Sequence, residues 1–482
     1  MPLIFDKTVK GRTGVTLPVN DVADNTKIPD EYLRKSPLDL CELSELDVVR
    51  HFTELSRKNY GLDTNFYPLG SCTMKYNPKV CEKIAALDGF SNVHPMLTHL
   101  DGGAELTQGC LRVIYELENL LCQITAMDAF TLHPMAGAHG ELTGMTLIAA
   151  YHRKKGNDKT EVLIPDEAHG TNPSSAAAAG YSVKPVPTNP NSGLLDIEKL
   201  KEAVNEKTAA IMMTNPNTLG LFNPQIKDVA DIAHAYDAQL YYDGANLNAI
   251  MGKFRPGDGG FDVVHLNLHK TFAAPHGGGG PGAGPVGVKK HLEPFLPVSR
   301  VIKKENGAFE LNSDYPFSIG KVTPFFGNFL VSAKAYIYIL MMGGEGLKKV
   351  SEQAVLSANY IMRSLKDHYT PAYLKTCMHE CVLTAARQTR NGVSALDIAK
   401  SLIDKGFHPP TVYFPLIVKE AMMIEPTETE SKETIDAFIK AMIEIAHEAQ
   451  NSPRTLRDAP LSSPVGRLNE AKAAKEMNVA CL

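Results

Sequence analysis

Apolar residues recur along this chain with two different periods. Between Ser36 and Tyr60, Leu38, Leu40, Leu43, Leu46, Val48, Val49, Phe52 and Leu55 return at helical spacing, and Ser44 stands where an N-cap would. A second amphipathic helix is predicted between Gly103 and Ala126 through Leu106, Leu111, Ile114, Leu117 and Leu120. From Glu161 the period shortens. Apolar runs at 162–165, 182–186, 209–213, 239–242 and 261–266 predict buried strands, separated by helical patterns in the alanine-rich stretch to Gly180, at 196–204 and at 225–236. Strands alternating with helices at this rhythm imply a mostly parallel sheet covered on both faces.

After Lys289 the pattern changes again. Residues 292–297 and 303–307 read as an excursion and a loop, and 330–342 as a long apolar helix closed by Gly343 and Gly344. A further helix over 345–368 leads into a smaller α+β part, where 408–415 and 424–430 flank a strand pair and 433–449 is helical. The resulting division is an N-terminal arm and helix (1–65), a large α/β domain (66–322) and a small C-terminal α+β domain with its tail (323–482).

Composition narrows the partners. A chain of 482 residues with 44% hydrophobic and 21% charged residues can bury a large core, and a net charge of −5 gives no basic field for nucleic acid. Cys377 and Cys381 lack the second pair that a metal site of that spacing requires, so the eight cysteines read as reduced thiols. The first residues do not pattern as a signal peptide, and no run of about 18 apolar residues occurs; a cytoplasmic protein with no membrane contact is expected.

The chemistry-bearing residues share a position. His169, Thr214 with Asn215, Asp243 and Lys270 each follow a predicted strand, and ligands of open α/β sheets gather outside the carboxyl ends of strands. Lys270 lies between an apolar strand and the glycine run 277–280, where an amine could reach a bound carbonyl compound and swing aside. The run follows its lysine and has no Lys-Ser/Thr pair after it, unlike a phosphate-binding nucleotide loop. The turn Gly137, Ala138, His139, Gly140 opens a helix and could seat a phosphate on free N–H groups. Alone, Lys270 would be a surface lysine, Asp243 a turn carboxylate, and His139 or His169 a hydrogen-bonded turn histidine. Together they match an aldehyde cofactor with a phosphate and a ring nitrogen, the ion pair to Asp243 making the ring an electron sink. No histidine pair has metal-ligand spacing, and no metal is expected.

The runs 67–79, 136–144, 165–173, 214–222, 241–252, 261–287 and 406–430 closely resemble the glycine decarboxylase P-proteins of the glycine cleavage system, in the form of the catalytic second subunit of the two-subunit bacterial type. The resemblance implies a fold-type I transferase dependent on pyridoxal 5'-phosphate. Such an enzyme decarboxylates glycine and passes the aminomethyl group to the lipoyl arm of the H-protein. By that resemblance Lys270 is the Schiff-base lysine, His169 stacks on the ring, Asp243 pairs with the pyridinium, and Ala138 and His139 form the phosphate turn, with Ala245 and Asn215 as further cofactor contacts. It also implies a homologous cofactor-free subunit 1 as partner, in a heterotetramer. The loop 67–79 with His269 and His276 would line the entrance, Lys75 taking the glycine carboxylate. An aminotransferase or a cysteine-sulfur lyase would need a carboxylate-gripping arginine, for which Arg467 is the late candidate; a non-catalytic scaffold would not need Lys270 and Asp243.

Overall fold

The computed structural model describes residues 2–21, 28–36, 38–275, 280 and 282–478. They form two compact units, Met1–Thr64 and Asn65–Leu482. In the first, the helix Glu45–Ser56 begins at Ser44, whose hydroxyl accepts the Asp47 N–H while the Asp47 carboxylate accepts the Ser44 N–H. That capping box sets the start of the helix. Leu38 and Leu40, expected within it, lie outside and are exposed.

The second unit is built on a seven-stranded sheet: β1 (Ala129–Thr131), β2 (Glu161–Pro165), β3 (Ser182–Val186), β4 (Thr208–Met213), β5 (Gln239–Gly244), β6 (Val263–Leu266) and β7 (Val286–Val288), in the order β1-β7-β6-β5-β4-β2-β3. Strands β2 to β6 pair in parallel and only β7 runs against its neighbours. Every residue of β4, β5 and β6 is buried, as a parallel sheet with both faces covered requires. Side chains alternate between two cores: Leu163, Ile211, Leu240 and Val264 enter one, Val162, Ala210, Tyr241 and Val263 the other. The helix Gly137–Lys155 covers the second face through Met145 and Ile148. Its Gly144 has no room for a side chain, since a Cβ there would stand 2.5 Å from the Tyr241 ring.

The segment expected to be excursion and loop contains a hairpin, β8 (Arg300–Lys303) and β9 (Phe309–Asn312). Its charged turn hides it in the sequence, because only Val301 and Phe309 are buried and no apolar alternation develops. The helix Phe329–Leu365 is continuous except at Gly343 (φ 61°, ψ 179°), where the predicted break appears as a kink. Beyond it lies a four-stranded antiparallel sheet of β10 (Thr370–Pro371), β11 (Cys381–Thr384), β12 (Thr411–Val412) and β13 (Ala421–Ile424), in the order β10-β11-β13-β12. Helices Ala395–Asp404 and Lys432–Asn451 pack over it through Ile398, Leu402, Phe438 and Ile445. The loop 67–79 is tied to this sheet, Leu69 bridging to Ile424 and Gly70 N–H donating to the Met423 carbonyl. Among the described residues, no helix is long and apolar enough to cross a membrane.

Candidate functional site

Because β4, β5 and β6 are parallel, their carboxyl ends open at one edge of the sheet, and the segments beyond them meet there. Thr214 follows β4, Ala245 and Asn246 follow β5, and Asn267 and Lys270 follow β6; all line one cavity of about 210 Å³. The start of Gly137–Lys155 and the His169 turn complete its sheet side. Ser71, His379 and Glu380 reach it from the loop 67–79 and the small sheet.

Lys270 sits on a tight turn, its N–H donating to the Asn267 carbonyl (3.0 Å) and its carbonyl accepting the Ala273 N–H (3.2 Å). Asp243 is the next-to-last residue of β5 and is buried. Its Oδ2 accepts from the Asn172 amide (2.8 Å) and its Oδ1 from the Ala245 N–H (3.0 Å). Burial alone would raise this carboxyl, but His265, Asn172, the Ala245 N–H and Lys270 outweigh it and hold the group below the ordinary carboxylate range.

Across the cavity, the helix Gly137–Lys155 starts on Ala136, which has no side chain to cap it. The N–H groups of its first residues therefore have no intrahelical acceptor, and they carry the positive end of a 19-residue helix dipole. Gly137 and Ala138 face the cavity. A Cβ on Gly137 would stand 2.6 Å from the Asn267 amide, so glycine is what lets the helix end approach Asn267. The His139 ring takes no part in lining: its Nδ1 accepts the Met135 N–H (3.2 Å), and burial holds it below the usual histidine range.

His169 lines the cavity from an exposed position, its Nδ1 2.8 Å from the Thr171 hydroxyl. Thr171 donates to Glu141 (2.7 Å), which also accepts from Ser175 (3.0 Å). This chain of bonds fixes the His169 ring. Asn215 lies behind the lining: its amide bonds to the carbonyl and N–H of Asn223 (3.2 and 2.7 Å), bracing the loop that presents Thr214, Pro216 and Asn217. Among the described residues, three buried polar atoms of the lining, Thr214 Oγ1, Asn267 Oδ1 and His379 Nδ1, and Asn172 Oδ1 beside Asp243 have no hydrogen-bond partner. Unmet polar atoms around a cavity that has an uncapped helix end on one side and an amine beside a carboxylate on the other fit a phosphorylated aldehyde with a ring nitrogen.

Four sequence expectations are corrected, the first being Asn215, expected as a cofactor contact but turned to Asn223 behind the lining. The Lys75 ammonium is 1% exposed and already held by Glu428 (2.7 Å), Asn248 (3.0 Å) and Tyr338 (3.2 Å), so it has no N–H left for a substrate carboxylate. Arg467 pairs with Asp397 (2.6 Å) and donates to the Ala459 carbonyl (2.7 Å), and is not a lining residue. The His269 ring accepts the Ala283 N–H (3.3 Å) and does not line the cavity either; His276 and Gly277, Gly278 and Gly279 lie outside the described residues. Glu141, Asn172, Asn246, His379 and Glu380 also meet at the site, although no local sequence pattern marks the last four. Glu141 was within reach, since a carboxyl inside the first turns of a helix that opens on a phosphate turn faces the same edge.

The chain is similar to several known proteins. A family model described as glycine dehydrogenase, C-terminal domain, matches residues 350–461, and one for the DegT/DnrJ/EryC1/StrS aminotransferase family matches 127–253. The chain is 56% identical over 480 residues, 99% of its own length and 97% of the relative's, to a probable glycine dehydrogenase (decarboxylating) subunit 2 of Listeria innocua. A relative of the same description from Caldanaerobacter subterraneus is 56% identical over 477 residues, 98% of this chain and 97% of its own. Among solved structures, a glycine decarboxylase (P-protein) of the glycine cleavage system in inhibitor-bound form superposes with a TM-score of 0.70 at 22% identity, covering 87% of this chain and 93% of that one.

Proposed function

This chain belongs to the family of glycine dehydrogenase (decarboxylating) subunit 2 proteins, and on that premise we propose that it releases carbon dioxide from glycine with pyridoxal 5'-phosphate and passes the aminomethyl group to the lipoyl arm of the H-protein. The observation that carries the reading is the convergence of Lys270, Asp243 and the uncapped helix start on one cavity. Bound pyridoxal phosphate supplies an aldehyde that captures amines and a ring that accepts negative charge from the carbon losing carbon dioxide.

Each protein group then has a stated task. Lys270 Nζ is the amine that holds the cofactor and yields its place to glycine. The Asp243 carboxylate, kept ionised by its surroundings, holds a proton at the ring nitrogen. The N–H groups of Gly137 and Ala138 would bind the phosphate, helped by the Thr214 hydroxyl at the same rim. His169, anchored by Thr171, would stand over the ring. Ala245 fixes Asp243 through its N–H and His139 contributes its backbone to the phosphate turn, while Asn215 acts through the loop it braces.

Among the described residues, no arginine lines the cavity. An aminotransferase or cysteine-sulfur lyase reading loses its support once Arg467 is committed to Asp397. The partners are the homologous cofactor-free subunit 1, in a heterotetramer, and the lipoylated H-protein; the chain works in the cytoplasm. Reconstituting it with pyridoxal phosphate, subunit 1 and lipoylated H-protein tests this: carbon dioxide is expected from carboxyl-labelled glycine, and none would sink the reading.

A further inference from the structure

We propose that Glu380 is the acid of the cavity, storing a proton beside Lys270 and handing it to the second sulfur of the disulfide substrate as carbon bonds to the first. This rests on the reading that glycine and a lipoyl disulfide react here.

The placement follows from the small sheet. β11 and β13 are antiparallel with Cys381 opposite Ile424, so Glu380, just before β11, and Glu425, just after β13, emerge together at one end of the pair. Both are buried, at 4% and 0% exposure. One carboxylate oxygen of each, together with a ring nitrogen of His379, lies within 4.8 Å of the others. Two carboxylates so close and so shielded from water do not both ionise without a large cost.

Donors decide which one keeps the proton. Glu425 accepts the Thr73 N–H (3.0 Å), the Thr73 hydroxyl (2.7 Å) and the Asn246 amide (2.8 Å). Among the described residues, Glu380 accepts only the Ser71 N–H (3.0 Å), with His379 Nε2 farther off at 3.8 Å. Negative charge therefore settles on Glu425, behind the lining, and the proton on Glu380, which faces the cavity. Burial first, then the charge of Glu425, pushes the Glu380 carboxyl well above its ordinary range, against the Ser71 N–H and Lys270. Of the other groups facing it, burial holds His379 below the usual histidine range, and burial raises the Cys72 thiol, so neither supplies a competing charge.

The stored proton closes the balance of the reaction. Breaking the bond to the carboxylate releases carbon dioxide and leaves an electron pair on the methylene carbon. That pair forms the bond to the first sulfur, the S–S bond breaks, and its pair passes to the second sulfur, which takes a proton to become a thiol. Glycine enters as an ammonium and the aminomethyl group leaves as a neutral amine. One proton is thus shed for each one taken up: Glu380 delivers its stored proton to the second sulfur, and the proton shed by the amino group restores the acid.

The test is Glu380→Gln, whose amide has the shape of the neutral acid. In the cofactor-free chain at neutral pH, the infrared difference between wild type and variant should show one protonated-carboxyl band lost. Glu118, Glu167 and Glu430, which burial raises to about 8, 7 and 7, contribute equally to both spectra and cancel. With subunit 1 and lipoylated H-protein, the variant should bind glycine within about twofold of wild type while single-turnover aminomethyl transfer falls about 100-fold or more. Superimposable spectra, transfer within about threefold, or a melting point well below wild type would each overturn the proposal, the last because a neutral amide replaces a neutral acid. A band lost as expected in a wild type that releases no carbon dioxide from glycine would place the fault in the glycine reading and leave the stored proton standing.

Discussion

Asp243 and His265 stand opposite each other on neighbouring parallel strands, with His265 Nε2 3.3 Å from Asp243 Oδ1. Both are buried, and Tyr241 places its hydroxyl 2.9 Å from the other ring nitrogen of His265. The sheet register thus supplies the carboxylate with a fixed neighbour that favours its charge.

Replacing His265 by Gln should remove that neighbour without emptying the space. Asp243 would hold its charge less firmly, and cofactor affinity should fall about tenfold, equivalent to one pH unit in the carboxyl. Titration of the apo chain with pyridoxal phosphate, followed by visible absorbance, measures it; unchanged affinity would remove His265 from the account.

The depressed Asp243 carboxyl also fixes a pH dependence. A carboxyl lower in the folded than in the unfolded chain contributes stability that is full above its unfolded value, about 3.9, and is lost as pH falls through the folded value. Asp243→Asn should therefore melt below wild type at neutral pH, and the gap should close on acidification below about pH 4. A gap that persists or widens in acid would contradict the direction of the shift.

Lys75 is predicted to be structural. Lys75→Met leaves the Glu428 carboxylate, its side chain 9% exposed, without its counter-ion, and a loss of about 3 kcal/mol is expected in urea unfolding. Were Lys75 a substrate ligand, stability would hold and the KM for glycine would rise.

Gly137→Ala tests the helix start as the phosphate seat. The added Cβ would meet the Asn267 amide at 2.6 Å and force it to move, so cofactor affinity should drop about tenfold while the melting point changes little, the helix itself accepting alanine. The same affinity as wild type would place the phosphate elsewhere.

Lys270, Asp243 and the 137–140 turn were legible in the sequence because each signal is local: an apolar run, then a polar residue at its end, or small residues opening a helix. The parallel sheet was legible for the same reason, its buried strands being nearly continuous apolar runs. Glu380 and Glu425 were not, since only the Cys381 to Ile424 pairing of the small sheet brings residues 45 positions apart together and onto the rim of another sheet. Lys75 misled because a lysine in a Gly- and Pro-rich loop reads as exposed, while its three acceptors come from Asn248, Tyr338 and Glu428, far along the chain. The β8–β9 hairpin escaped because its buried positions number too few to set a period.

The central claim is that Lys270 holds the cofactor and serves its turnover. Lys270→Ala, mixed with pyridoxal phosphate, subunit 1 and lipoylated H-protein, should show neither the visible absorbance that wild type gains on loading nor glycine-dependent carbon dioxide exchange above background. Retention of both in the variant would contradict the account.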